Sequence, residues 1–222
     1  MINSGYFDKK ICKDCGLCCK QGGCGYLPSD FEKMSYGYLK EKLEDGKISI
    51  EAQIVPYIDS EKPSWNISLD LRARNNDRGI VDLISYDSGC SLLKPNGCYY
   101  DDKYRSSYGK FLKPDINRNC KQMMDQKTGL MAWAKHQDTL NGLVKYFSGM
   151  TTEERIEEDI KLLKMEMIKR YPKTFSLDKN GHLNFDNFNV PIDEETLDFL
   201  EIITIMDFLP YSREEDKFLK YS

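Results

Sequence analysis

The sequence predicts an α+β fold, with cysteine-rich metal-binding loops and a small antiparallel sheet packed against a helical C-terminal region. Three observations lead to it. Five of the eight cysteines crowd between Cys12 and Cys24, among Gly16, Gly22, Gly23 and Gly25, a composition that suits tight irregular loops. Between Ile48 and Leu71 the apolar residues recur with a period of two, as in half-buried strands. Beyond Gly129 the spacing becomes that of amphipathic helices.

Each element follows from local pattern. Ser29-Asp30-Phe31-Glu32 has the spacing of a capping box, so a helical stretch is expected to open at Ser29. A second helical run, Tyr38 to Glu44, stops near Gly46, which suits a C-terminal cap. Ile48, Ile50, Ala52 and Ile54 alternate, as do Trp65, Ile67, Leu69 and Leu71, and Ile80 to Ile84 reads as a shorter strand. From Cys90 to Cys120 the chain is rich in Gly, Pro, Asn, Ser and Tyr, which predicts irregular loops. Leu130, Trp133, Leu140, Val144 and Phe147 mark a helix over 129–147. The second capping box, Thr151 to Glu154, opens a helix bearing Ile156, Ile160, Leu163 and Met167 that ends before Pro172. Phe175 to Phe185 reads as a hairpin around Lys179-Asn180-Gly181, and Asp193 caps a final helix through Phe208. The division falls at 126/127, between a cysteine-cluster domain and a mainly helical region, unless the two form one continuous domain.

Composition narrows the function classes. With a net charge of −4, the chain has no basic footprint that would point to nucleic acid. No apolar run approaches the ~20 residues that cross a bilayer, and the start MINSGYFDKK lacks the apolar core of a secretory signal, so a cytoplasmic protein off the membrane is expected. In a reducing cytosol, clustered thiols hold metal or do chemistry more often than they form disulfides.

The run Cys12-x-x-Cys15-x-x-Cys18-Cys19 repeats the Cys-x-x-Cys spacing that turns two sulfurs toward one ion. Thiolates are soft ligands, suited to zinc, copper(I) or iron–sulfur assemblies. Lys9, Lys10, Lys13 and Lys20 surround the run and favour the thiolate state. Neighbouring Cys18 and Cys19 diverge by ~100° on a helix, so they do not easily share one ion. Two four-sulfur zinc sites, one iron–sulfur cluster with spare thiols, disulfides and reactive thiols all remain open readings. The bland alternative, eight unremarkable buried cysteines, conflicts with the doubled spacing and with the absence of any cysteine after Cys120.

The string ICKDCGLCCK resembles the signature of the YkgJ-type cysteine-cluster family of zinc- or iron-chelating domains, and CSLLKPNGC, YYDDKYR and the later NC resemble its downstream segment. The resemblance spans roughly residues 8 to 125. It implies a thiolate metal site built from Cys12, Cys15, Cys18, Cys19, Cys24, Cys90, Cys98 and Cys120. The family has Arg-Pro shortly before its last cysteine, whereas here Ser106 follows Arg105 and Cys120 lies fifteen residues beyond Arg105. Metal chelation is implied; one particular reaction is not. Relatives of the signature occur in proteins tied to flagellin lysine methylation, but only the metal motif matches here, so that activity is not carried over.

Other residues weigh less. His136 lies near the apolar stripe of its helix and reads as a packed or half-exposed side chain, and His182 as a solvent-facing one. Arg72, Arg74 and Arg78 share a strand face that suits either an anion or structural ion pairs, with the structural role favoured. Tyr99, Tyr100, Tyr104 and Tyr108 lie close to Cys98 and either shield a metal or fill a loop-rich core. Asp14, Asp101 and Asp102 neighbour cysteines, yet no catalytic acid, base or nucleophile is named by spacing alone. The sequence therefore predicts a metal-binding cysteine-cluster protein chelating zinc, with iron or an iron–sulfur cluster as the alternative metal. A redox or protein- or peptide-modifying iron enzyme is the alternative function, and metal storage or delivery a third. A protein or peptide partner fits each of these readings.

Overall fold

The computed structural model describes residues 12, 16–58, 63–84, 89–100, 104–115, 120–173 and 175–185. It is α+β, with short helices and small two-stranded sheets. The final helix expected from Asp193 to Phe208 lies outside the described residues, as do Asp14, Asp101 and Asp102.

The alternating runs form β1, Ile48–Ile58, and β2, Pro63–Ala73, which pair with each other. The link between them, residues 59–62, is far too short for a parallel crossover, so the pair is antiparallel. Ile80 to Leu83 runs alongside β1 instead of forming a full strand. The Ile50 N–H donates to Ile80 at 2.8 Å, the Asp82 N–H to Ile50 at 3.0 Å, and the Ala52 N–H to Leu83 at 2.9 Å. The Ser49 hydroxyl, also buried, donates to the Gly79 carbonyl at 2.7 Å.

α1 is the short turn Leu17–Gln21, and α2 runs from Tyr36 to Glu44, closing with a Gly46 N–H bond to Leu43 at 3.2 Å. The helix expected at Ser29 is only a 3-10 turn, Pro28–Asp30. Asp30 does the capping in place of Ser29, because its carboxylate accepts the Leu27 N–H at 2.9 Å and the Ser107 N–H and hydroxyl at 2.9 and 2.7 Å. That long-range anchor turns the chain away at Phe31, whose backbone is extended.

Between Leu93 and Gln122 the chain makes two minimal hairpins. β3, Leu93–Lys94, pairs with β4, Gly97–Cys98; β5, Leu112–Lys113, pairs with β6, Lys121–Gln122; and α3, Ser107–Lys110, lies between them.

The expected helix over 129–147 is two helices, α4, Gln126–Trp133, and α5, Gln137–Ser148, joined by the 3-10 turn Ala134–His136. Gln137 accounts for the break. Its side-chain amide donates to the carbonyls of Trp133 at 3.0 Å and Leu69 at 2.9 Å, and its Oε1 accepts the Leu69 N–H at 2.8 Å. The Trp133 carbonyl is thus satisfied by a side chain that also ties the helix to β2. Leu39 and Leu43 of α2 and Leu140, Leu143 and Val144 of α5 are fully buried where these helices meet. α6, Thr152–Arg170, begins where the second capping box places it, and β7, Phe175–Leu177, pairs with β8, Leu183–Phe185, around the expected turn.

The chain divides into two compact units, one of residues up to Gln53 with Ser68–Thr152, the other of Ile54–Ile67 with Glu153 onward. Position 126/127 lies at the start of α4, inside the first unit. In the second unit, α6 buries Ile156, Leu163 and Met167, and the hairpin buries Phe175 and Leu183. Among the described residues, no helix is long and apolar enough to cross a membrane.

Candidate metal centre

The end of β2 places the cysteines. Its free edge is taken by the segment after α1. The Tyr26 N–H donates to Leu71 at 2.7 Å, the Ala73 N–H donates to Cys24 at 2.9 Å, and Gly25 bridges Arg72 antiparallel. A Cβ at residue 23 would lie 1.8 Å from the Ala73 carbonyl oxygen, so only glycine lets the two backbones approach. The Asn75 side chain holds the Gly23 N–H at 2.7 Å. Just past the strand, Asn75 bridges Cys90, the Asn76 N–H donates to Gly89 at 2.7 Å, and the Ser91 N–H donates to Arg74 at 2.9 Å. The Cys90 N–H in turn reaches the Cys19 carbonyl at 2.6 Å. One strand end therefore gathers Cys24, Cys90 and, through the backbone of Cys90, α1 with Cys18 and Cys19.

The remaining positions follow from short local structure. The Gly16 N–H donates to the Cys12 carbonyl at 2.9 Å, which fixes Cys12 just ahead of α1. Cys98 pairs with Leu93 in the β3–β4 hairpin. Cys120 stands ahead of β6, and its sulfur accepts the Asp115 N–H at 3.4 Å.

Cys12, Cys18, Cys19, Cys24, Cys90, Cys98 and Cys120 all line one cavity of about 80 Å³. Cys15, the eighth expected ligand, lies outside the described residues. A single water takes roughly 10–15 Å³ on such a measure, so the space suits several atoms. Among the described residues, no three Cys, His, Asp or Glu side chains already stand as a preformed ion site.

Burial and mutual repulsion push up the thiols of Cys19, Cys24 and Cys90. Burial pushes Cys24 up to about 12, and the charges of Cys19, Cys90 and Cys18 add to the effect. Cys19 is pushed up to about 11 by burial, then by Cys90, Cys98 and Cys18. Burial also raises Cys90, although the backbone N–H groups of Leu92 and Leu93 donate to its sulfur and pull the other way. Arg105 lines the cavity too, and its guanidinium favours the thiolates of both Cys19 and Cys24. The sequence pointed to lysines for this role; of these only Lys20 is described, and it is exposed.

Most of the other singled-out residues do not line this cavity, although the charge of Arg72 still pulls the Cys90 thiol down. Arg72 is buried in ion pairs with Asp82 at 2.5 Å and Glu51 at 3.2 Å. Arg74 caps α2, donating from Nη2 to the carbonyls of Leu43 and Ile48, both at 2.9 Å. The strand ends at Ala73, so Arg74 leaves the face that Arg72 occupies, and neither lines the cavity. Tyr100 does line it, as does Tyr26, a residue that sequence reasoning passed over. Tyr99 and Tyr104 are exposed, and Tyr108 packs over Gly25. His136 is half-buried edge-on to Trp133 at 6.1 Å, and His182, expected to face solvent, is half-buried in its hairpin, with its N–H donating to Asp178.

No protein-family model, curated protein or solved structure matches this chain.

Proposed function

We propose that the protein is a thiolate metal-binding protein that chelates zinc in the cavity at the end of β2. The observation that carries this reading is the meeting of seven cysteines, drawn from segments as far apart as Cys12 and Cys120, on one cavity wall. The donor set fits a soft cation, which would supply positive charge to a wall lined by seven thiols. N–H groups directed at the sulfurs of Cys90 and Cys120 are the kind of outer-shell contact that steadies thiolate ligands. The resemblance to YkgJ-type cysteine-cluster proteins falls on these seven positions and on Cys15, and supports the same reading. Cys12, Cys18, Cys19, Cys24, Cys90, Cys98 and Cys120 would hold the metal, with Cys15 joining them. The metal would cross-link loops that have little regular backbone pairing of their own. The setting that fits reduced thiols is the cytoplasm, with a protein or peptide as partner.

A second reading is an iron or iron–sulfur protein with redox or protein-modifying activity. The observation that favours it is the surplus of sulfurs over the four that close a zinc ion. One experiment addresses both: elemental analysis of protein purified without oxygen, with a visible spectrum of the same sample. Zinc without colour supports the first reading, and iron with sulfide and a brown chromophore supports the second. Protein that is folded, fully reduced and free of any transition metal, even after anaerobic reconstitution, overturns both.

A further inference from the structure

We infer that the cavity takes its metal as one polynuclear, thiolate-bridged unit and not as separate mononuclear sites. The inference rests on the metal-binding reading above and concerns how the sulfurs are shared.

Separate four-sulfur sites require the cysteines to sort into two groups with their own walls. The described cysteines do not sort. Cys12, Cys18, Cys19 and Cys24 from the head line the same cavity as Cys90, Cys98 and Cys120 from downstream. The backbone interleaves them: the Cys90 N–H is bonded to the Cys19 carbonyl at 2.6 Å, and Cys24 and Cys90 are both anchored at the end of β2.

Geometry within α1 points the same way. Cys18 and Cys19 leave the helix about 100° apart, yet both line the cavity. They therefore approach its contents from different directions and serve different metal positions within a single space. Two tetrahedral ions that share one sulfur need seven thiolates, as many as line the described wall, and Cys15 would add an eighth donor to the same unit.

Cobalt(II) titration of the full-length, reduced protein under anaerobic conditions tests this. Thiolate-to-cobalt charge-transfer absorption reports binding, and electron paramagnetic resonance of the high-spin ion reports isolation, because a bridging sulfur couples neighbouring spins and silences them. The expected result is absorption that keeps growing through the second equivalent. The paramagnetic signal either rises with the first equivalent and falls with the second, or stays weak throughout because the pair fills together. A signal that grows in proportion through two equivalents means isolated ions and overturns the proposal, as does saturation at one equivalent. Absence of any charge-transfer band is a different failure, because it removes the metal-binding reading itself.

Discussion

Two buried clusters of ionisable side chains meet at the end of β2, and they are built on opposite plans. Alternation along the strand puts Leu69, Leu71 and Ala73 on one face and Asp70 and Arg72 on the other. On the second face Glu51, Asp70 and Asp82 surround Arg72, with Gln53 donating to Asp70 at 3.2 Å. This cluster contains its own counter-charge. Its surplus carboxylate charge is relieved at Asp70, whose carboxyl is held high first by burial and then by the charge of Glu51, and burial also raises Glu51 against the pull of Arg72. The sulfur cluster contains seven potential anions and, among the described lining residues, one cation, Arg105. A cluster that closes on itself serves the fold. A cluster of like-charged donors around a space fits an external cation.

The comparison breaks most visibly if a thiol is removed. Cys24→Ser and Cys90→Ser are expected to weaken metal retention more than ~100-fold, beyond the ~10–100-fold typical of outer-shell partners. Competition with a chromophoric chelator measures it. Cys15→Ser is expected to lose metal and solubility together, because the doubled Cys-x-x-Cys spacing assigns Cys15 to the same set. Full metal content in a soluble Cys15→Ser protein would remove that residue from the ligands.

Arg72→Met is the matching change in the carboxylate cluster. It leaves Glu51 and Asp82 buried without their ion-pair partner, which costs about 3–5 kcal/mol when one side of a buried pair is removed. Urea unfolding of the metal-loaded protein reads this loss, and the metal content per folded molecule is expected to stay at the wild-type level. If metal leaves while the fold keeps its stability, the two clusters are not the separate devices their geometry implies.

How much of this was legible in the sequence depends on the range of the interaction. The strands were readable because Ile48, Ile50, Ile54, Leu69 and Leu71 carry a local period. The burial of Asp70 and Arg72 was not, since it requires Asp82 to be carried across by the segment lying along β1. The division between α4 and α5 was invisible for the same reason: Gln137 is held by Leu69, remote in the chain. Clustering marked the cysteines at once. That Cys24, Cys90 and Cys120 line one cavity with Arg105 and Tyr26 depends on backbone pairing at the end of β2 and on the hairpins beyond it, which no local spacing records. The alternation from Cys24 to Tyr26 beside a glycine was the one signal that Tyr26 faces the same way.

Acidity sharpens the comparison next. Asp70 is pushed up to about 9, chiefly by burial, while an unfolded aspartate releases its proton near about 4. The folded state therefore holds the extra proton across that interval. The stability this contributes is complete below about pH 4 and is lost as the pH rises toward about 9, at up to ~1.4 kcal/mol per pH unit for one proton. Urea unfolding between about pH 5 and pH 8 is expected to show this decline, and Asp70→Asn to flatten it. The raised thiols titrate above that window, because unfolded cysteine ionises near about 8.5. An unchanged slope in Asp70→Asn would place the shared proton elsewhere.

The smallest effect belongs to His136, and it tests whether the cavity is selective for sulfur. A histidine is a common zinc ligand, and this one is half-buried with its pKa lowered, first by burial and then by Lys135. It nonetheless spends its ring on Trp133, at 6.1 Å and 75° between planes, and it does not line the cavity. His136→Ala is expected to leave metal content and charge-transfer absorption unchanged while costing no more than the ~0.5–1.5 kcal/mol of an edge-to-face contact. Trp133 is the more demanding neighbour, because its indole N–H holds the Tyr26 carbonyl at 2.9 Å and Tyr26 lines the cavity. If His136→Ala did reduce metal retention, the effect would have to travel through Trp133 and Tyr26, and Trp133→Phe, which removes that hydrogen bond while keeping a ring, would reproduce it.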